Sequence, residues 1–351
     1  MRFGQVVIGG AGTGKSTLVL GMSDLLTQLK RPYCLVNLDC GNGNPPYKPD
    51  IDIRNLLTLD SAAALQNLGP NGALMFSFDQ LLVDIEWLQD EISRQGDKFF
   101  IFDLPGQIEL FTHSTLVQQI LEILRIKMRF SLVTVNLVDS VLCTNRSAYV
   151  SALLSSLSTG IRLDTPHVNV LTKIDLVRGF KEDMQLGLRS YLSACAEGSE
   201  GTLFDCLFTE EAVHPFDRKF LKMSQAICAV VEEYGQSGFL PLAVEDKNLM
   251  LRLLAACDRA CGFAANNADA MSLSDDLAAE SYEDYFASLE EKYLESHACA
   301  ACGAVEVSKR CSRCKKIYYC DAECQAAHWK ASHRLSCKTW KFFLYSTRND
   351  F

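Results

Sequence analysis

The 351-residue sequence has no run approaching ~18 uninterrupted apolar residues, which excludes a membrane-spanning helix. It shows no internal repeat. Its first residues, Met1-Arg2-Phe3-Gly4-Gln5-Val6-Val7-Ile8, lack the basic stretch, apolar stretch and cleavage site of a secretory leader, and read instead as a strand. Disorder throughout is excluded as well, because 48% of the residues are hydrophobic and can bury a core. Net positive charge is missing from the whole, the formal charge being −9. With no leader in view, a reducing, cytoplasmic setting is expected.

Cysteine is what the sequence has in excess. Of 15 cysteines, eight are scattered singly from Cys34 to Cys261 and seven crowd between Cys299 and Cys337. In a secreted chain they would suggest disulfides; in a reducing compartment a cluster favours metal. Charge is equally uneven. Residues 1–265 carry a net −7, residues 266–296 a net −8 and residues 297–351 a net +6, so an acidic strip separates an acidic body from a basic tail. This divides the chain into a body at 1–263, an acidic linker at 264–296 with a weak helix near 282–293, a cysteine-rich module at 297–340 and an aromatic tail at 341–351. The module is too short for a self-sufficient apolar core and needs another support.

Within the body, short apolar runs at 5–8, 34–37, 99–103, 132–138, 168–171 and 239–242 alternate with helical patterns at 16–29, 78–91, 116–128, 148–157 and 248–261. That alternation predicts an α/β fold, a mostly parallel sheet covered by helices on both faces in three layers.

Directly after the first strand stands Gly9-Gly10-Ala11-Gly12-Thr13-Gly14-Lys15-Ser16, matching G-x-x-x-x-G-K-[ST] at the opening of a helix. Glycines let the backbone wrap close to phosphates, Lys15 supplies charge at the β- and γ-phosphates, and Ser16 can ligate Mg²⁺. A P-loop NTPase fold follows, with Gly9, Gly12, Thr13, Gly14, Lys15, Ser16 and Thr17 as nucleotide-binding residues. Further along, Asp103-Leu104-Pro105-Gly106-Gln107 ends an apolar strand. Asp103 can hold Mg²⁺ through water, and Gln107 is placed to orient an attacking water. Thr172-Lys173-Ile174-Asp175 then reads as T-K-x-D after the fifth strand, where an Asp carboxylate can accept from guanine N1–H and the exocyclic amine. Asp39, closing the second strand, either contacts Mg²⁺ through water or caps the following turn.

Leu68-Gly69-Pro70-Asn71-Gly72 lies between that acid and the D-x-P-G-Q strand. Together with Asn37-Leu38-Asp39, Asp52-Ile53-Arg54, Asp103-Leu104-Pro105-Gly106-Gln107-Ile108-Glu109-Leu110, Leu137-Val138-Asp139-Ser140 and Phe239-Leu240-Pro241-Leu242, it makes residues 1–262 resemble the GPN-loop GTPases. Phe3-Gly4-Gln5-x-Val7-Ile8-Gly9, Gly21-Met22-Ser23 and Val138-Asp139-Ser140-x-x-Cys143-Thr144 resemble the second of the eukaryotic paralogues. The resemblance implies a constitutive dimer, homo- or heterodimeric, in which the loop Gly69, Pro70, Asn71 enters the neighbour's active site. Asn71 would act in trans near the γ-phosphate, with Gln107, Glu109 and Asp103 positioning water. It also implies a role in assembly and nuclear import of RNA polymerase subunits, with shuttling to the nucleus. The family's N-L-D-P-A reads Asn37-Leu38-Asp39-Cys40-Gly41 here, and no basic residue adjoins the GPN tripeptide to serve as an arginine finger.

In the module, Cys299-x2-Cys302, Cys311-x2-Cys314, Cys320-x3-Cys324 and His333-x3-Cys337 supply eight ligands, the number two tetrahedral Zn²⁺ ions require. Alternation of the pairs assigns Cys299, Cys302, Cys320 and Cys324 to one ion and Cys311, Cys314, His333 and Cys337 to the other. With no open position, the zinc is structural. His328 is the competing histidine; the spacing of the last pair favours His333. About forty residues, including Tyr319-Cys320, Cys324-Gln325 and His328-Trp329, resemble a MYND-type zinc finger, which implies binding of a peptide from a partner protein. The basic residues Lys309, Arg310, Arg313, Lys315, Lys316, Lys330 and Arg334 are read as a solvated face rather than a nucleic-acid surface, and the tail from Trp340 as packing on the finger. The alternatives to a GTP-driven switch are a hydrolytically weak nucleotide-binding scaffold and an ATP-dependent small-molecule kinase.

Overall fold

The computed structural model describes residues 1–184, 188–192, 202–208, 219–234, 238–278, 282–294, 299–304, 307, 309–311, 313–314, 317–334 and 337. The tail at 341–351, Trp340, Lys315 and Lys316 lie outside the described residues. The chain forms two compact units, Met1–Tyr285 and Phe286–Phe351.

Seven strands build the sheet of the first unit: β1 (Arg2–Gly9), β2 (Tyr33–Asn37), β3 (Ile51–Asp52), β4 (Phe99–Asp103), β5 (Phe130–Asp139), β6 (His167–Thr172) and β7 (Leu240–Leu242). Their order is β3-β2-β4-β1-β5-β6-β7, and every pairing is parallel. Buried on both faces, the central strands are nearly continuous apolar runs, as Phe99–Asp103 shows with all five residues buried. The six expected strands are present. The short β3 was not foreseen, because two residues carry no periodicity. Register brings Val7 beside Asp103, Asn37 beside Asp103, and Asp139 beside Thr172, so the carboxyl ends of β1, β2, β4, β5 and β6 share one edge. In open parallel sheets that edge is where ligands bind.

Helix α1 (Lys15–Gln28) follows β1, and α2 (Leu59–Gln66) and α3 (Pro70–Val83) follow β3. Pro70 occupies the first turn of α3, where its fixed φ is favourable and its missing N–H costs nothing. The helical pattern at 78–91 divides at Asp84 into α3 and a second helix, Ile85–Arg94. Flanking Val83 and Ile85 are β-branched, and Asp84 itself leaves helical geometry at φ −101° and ψ 35°, which marks the break.

At the amino-terminal edge of the sheet, Arg31 donates to both Asp258 oxygens at 2.9 and 2.8 Å, with its guanidinium 3.9 Å from the Phe99 ring centroid and 3.6 Å from that of Phe263. This ties the end of α1 to the helix Lys247–Ala260. In the acidic linker the helix expected near 282–293 is present as Tyr282–Tyr293, and Ala268–Ala278 is helical as well, which the sequence did not suggest. Ala270 and Ser274, four residues apart, are both buried, and Arg252 lies over the Tyr285 ring at 4.0 Å, so an alanine-rich strip gains packing on one face.

The second unit contains an antiparallel pair, Lys309–Arg310 with Tyr318–Tyr319, and a helix, Ala322–His328, capped by Asp321 on the Cys324 N–H at 2.7 Å. The helix continues through one wider turn, Trp329–His333.

Candidate functional site

The loop between β1 and α1 needs glycine at Gly9, whose φ is +145° and where a Cβ would lie 2.6 Å from the Leu137 carbonyl. Lys15, at the start of α1, folds back over the loop and donates to the Gly9 and Gly10 carbonyls at 3.2 and 3.1 Å. Burial lowers the pKa of its ammonium, while Asp103 and Asp39 pull it back up. Ser16 donates to Asp103 Oδ2 at 2.8 Å, joining the helix start to the end of β4. Gly106, three residues on, approaches so closely that a Cβ there would lie 2.7 Å from Lys15 Nζ.

Asp103 is 1% exposed, and its Oδ1 has no hydrogen-bond partner among the described residues. Burial pushes its carboxyl pKa up, and burial does the same to Asp39. Two desolvated carboxyls facing one lysine leave an excess of acceptor oxygens. With the Ser16 hydroxyl they form an all-oxygen donor set, which fits a hard divalent cation.

Asp39 caps its own turn, accepting from the Gly41 N–H at 2.9 Å, so the capping reading of this acid holds while its carboxylate stays near Lys15. Cys40, where the family pattern has proline, is buried and donates its thiol hydrogen to Ser77 Oγ of α3 at 3.1 Å. The loop conformation is thus held by a contact the sequence did not advertise. Tyr47 is a second unforeseen participant, its hydroxyl donating to Asp103 Oδ2 at 2.8 Å. A lone tyrosine among prolines carries no motif, and only the tertiary contact identifies it.

On the other side, Thr172 donates to the carbonyls of Thr13 and Val138 at 3.0 and 3.1 Å. Threonine at the first position of T-K-x-D therefore clasps the phosphate loop to β5. Lys173 adopts φ +58°, its ammonium 2.6 Å from Asp139 and its carbonyl accepting from Ser140 Oγ at 3.0 Å. Asp175 follows, exposed, in the first turn of a 3-10 helix, Ile174–Asp183. Thr17 is exposed on the first turn of α1.

Gln107 donates through Nε2 to Asn71 Oδ1 at 2.9 Å, within the same chain. Asn71, Gln107, Glu109, Met75 and His113 line a cavity of about 550 Å³, which none of the phosphate-loop residues lines. The GPN loop thus stands beside its own D-x-P-G-Q segment.

In the second unit the two quartets assemble as the spacing assigns them, each with ligand atoms within 4.8 Å of one another: Cys299, Cys302, Cys320 and Cys324, and Cys311, Cys314, His333 and Cys337. Sγ–Sγ separations of 3.2 Å (Cys302, Cys320) and 3.9 Å (Cys311, Cys337) are too long for disulfides, which need about 2.05 Å. The second is close to the edge of a thiolate tetrahedron, about 3.8 Å for Zn–S near 2.3 Å. His333 Nε2 lies 3.3 Å from both Cys311 and Cys314 Sγ. His328 instead pairs through Nδ1 with the Tyr319 hydroxyl at 2.9 Å, which leaves it outside the quartet. The residues present fit zinc.

A family model described as "conserved hypothetical ATP binding protein" matches residues 7–263, and a "MYND finger" model matches residues 299–337. GPN-loop GTPase 2 of Danio rerio is 36% identical over 300 residues, covering 84% of this chain and 94% of that protein. GPN-loop GTPase 2 of Schizosaccharomyces pombe is 39% identical over 274 residues, covering 75% of this chain and 81% of that protein. Among solved structures, an apo GTPase from Pyrococcus abyssi superposes with a TM-score of 0.59 at 23% identity, covering 74% of this chain and 97% of that one, and so shares the fold.

Proposed function

Because the chain belongs to the GPN-loop GTPase family, we propose that it is a GTP-hydrolysing switch whose MYND finger recruits a protein partner. The observation that carries the catalytic reading is the convergence of Lys15, Ser16 and Asp103 at one sheet edge, with Thr172 holding the phosphate loop in place.

In this reading the loop N–H groups and Lys15 receive the phosphates, and Asp175 selects guanine over adenine by accepting from the ring N1–H and the exocyclic amine. Ser16, Asp103 and Asp39 hold Mg²⁺, which when bound neutralises charge on the β- and γ-phosphates. Gln107 and Glu109 orient the attacking water, and Asn71 offers an uncharged amide where negative charge develops.

The protein acts as a homo- or heterodimer with a paralogous GPN-loop GTPase, each GPN loop reaching the neighbour's site. The cavity beside Asn71 and Gln107 supports this by leaving room at that place. Two Zn²⁺ ions brace the finger, which takes a peptide of an assembly factor or RNA polymerase subunit. Residence is cytoplasmic with shuttling to the nucleus, and the role is polymerase assembly and nuclear import.

Competition against a fluorescent mant-nucleotide tests the base preference: GTP should outcompete ATP by orders of magnitude, and equal affinity would sink the reading. Gln107→Leu should leave GTP binding intact and abolish turnover. A wild-type dimer without turnover would favour the scaffold alternative.

A further inference from the structure

The segment from Asp39 to Arg54 behaves as a strap anchored at both ends. At one end Asn37 Oδ1 accepts from the Asp39 N–H at 3.1 Å. At the other, the Asp50 carboxylate accepts from the Leu35 N–H at 2.8 Å, and the Arg54 guanidinium grips Asp52 while donating to the carbonyls of Asn42 and Gly43 at 3.2 and 2.8 Å. Between these anchors two side chains reach the oxygen-rich corner. Asn42 Nδ2 donates to Ser16 Oγ at 3.2 Å, and Tyr47 OH donates to Asp103 Oδ2 at 2.8 Å.

Resting on the nucleotide-binding reading above, we infer that Tyr47 is a positioning residue for the divalent cation, fixing the rotation of the Asp103 carboxylate so that Oδ1 is kept for the ion and its water. The hydrogen-bond accounting supports this. Ser16 and Tyr47 both donate to Oδ2, while the buried Oδ1 has no partner among the described residues. A buried acid left with an unused oxygen is costly unless something occupies it. Tyr47 is itself buried at 6% exposure, and a ring needed only for packing would gain nothing from a hydroxyl aimed at a carboxylate. Partners of this kind orient metal ligands, and their loss costs about 10–100-fold in metal affinity.

The experiment titrates Mg²⁺ into full-length protein carrying mant-GDP and reads the fluorescence midpoint, for wild type and Tyr47→Phe. Phenylalanine keeps the buried ring and removes only the donor. The expected result is a Mg²⁺ midpoint raised about 10–100-fold, with mant-GDP affinity in EDTA changed less than about two-fold. A midpoint within two-fold of wild type overturns the inference, as does an equal loss of nucleotide affinity with and without Mg²⁺. Arg54→Met, which frees the strap and so loosens Tyr47 while leaving its hydroxyl intact, should raise the midpoint too, and decides the matter if Tyr47→Phe does not fold. A wild type whose nucleotide binding ignores Mg²⁺ would overturn the underlying reading along with the inference, whereas a responsive wild type with an unaffected Tyr47→Phe overturns the inference alone.

Discussion

Gly106→Ala should damage the phosphate site without removing any group that donates or accepts there. A Cβ at this position would stand 2.7 Å from Lys15 Nζ, 2.9 Å from Ala11 Cα and 3.1 Å from Ala11 N, where ordinary contact begins at 3.4 Å. The shortfall is about 0.7 Å at the ammonium and about 0.5 Å at the backbone. Lys15 could swing away, but it would forfeit its hydrogen bonds to the Gly9 and Gly10 carbonyls. Ala11 cannot yield without reshaping the loop that must receive phosphate. Overpacking of this kind costs roughly 1–3 kcal/mol. If that cost falls on the catalytically competent arrangement, kcat/KM for GTP drops roughly 5- to 150-fold. The assay is steady-state GTP turnover under saturating Mg²⁺, with thermal melting to verify that the variant is folded. A folded Gly106→Ala enzyme with kcat/KM within two-fold of wild type would refute the claim that this close approach organises the site.

Two other outcomes follow from the geometry. Burial raises the Asp258 carboxyl pKa to about 6 despite the Arg31 partner, so the group binds its proton more tightly folded than unfolded. Its contribution to stability is therefore full below the unfolded value near 3.8 and is lost as pH rises through about 6, an effect on the order of 3 kcal/mol that denaturant melts at pH 4–7 should show in wild type and not in Asp258→Asn. In the finger, His333→Ala should lower the zinc content from two ions per chain to one by elemental analysis, while His328→Ala should retain both. Loss of zinc from His328→Ala instead would reverse the ligand assignment.

The strands were legible because each buried strand is a short apolar run bounded by Gly, Pro or charge, and the phosphate loop because its chemistry demands eight consecutive residues. The zinc quartets were legible for a similar reason. Each ligand pair is local, and tetrahedral coordination limits how pairs combine. Less was legible where meaning depends on a partner far along the chain. The helix Ala268–Ala278 reads as an acidic linker because its packing face is alanine and serine rather than large apolar residues. Cys40 reads as a departure from a motif, yet its thiol meets Ser77 on α3. Asn71 is legible as part of a motif, but not that its amide oxygen accepts from Gln107, 36 positions along the chain.

What the sequence by itself determined is the chemistry available: a phosphate-binding loop, an acid and a glutamine after β4, a T-K-x-D turn and eight metal ligands at metal-ligand spacing. These are short-range patterns, set by bond lengths, helix pitch and coordination number. What only the tertiary structure decided is how they meet. Ser16 and Asp103 are 87 positions apart, Tyr47 and Asp103 are 56 apart, Thr13 and Thr172 are 159 apart, and Arg31 and Asp258 are 227 apart. No local period encodes those contacts. The first three arise because parallel strands align their carboxyl ends on one edge, and the last because the opposite ends of the same strands gather Arg31 and Asp258 at the other.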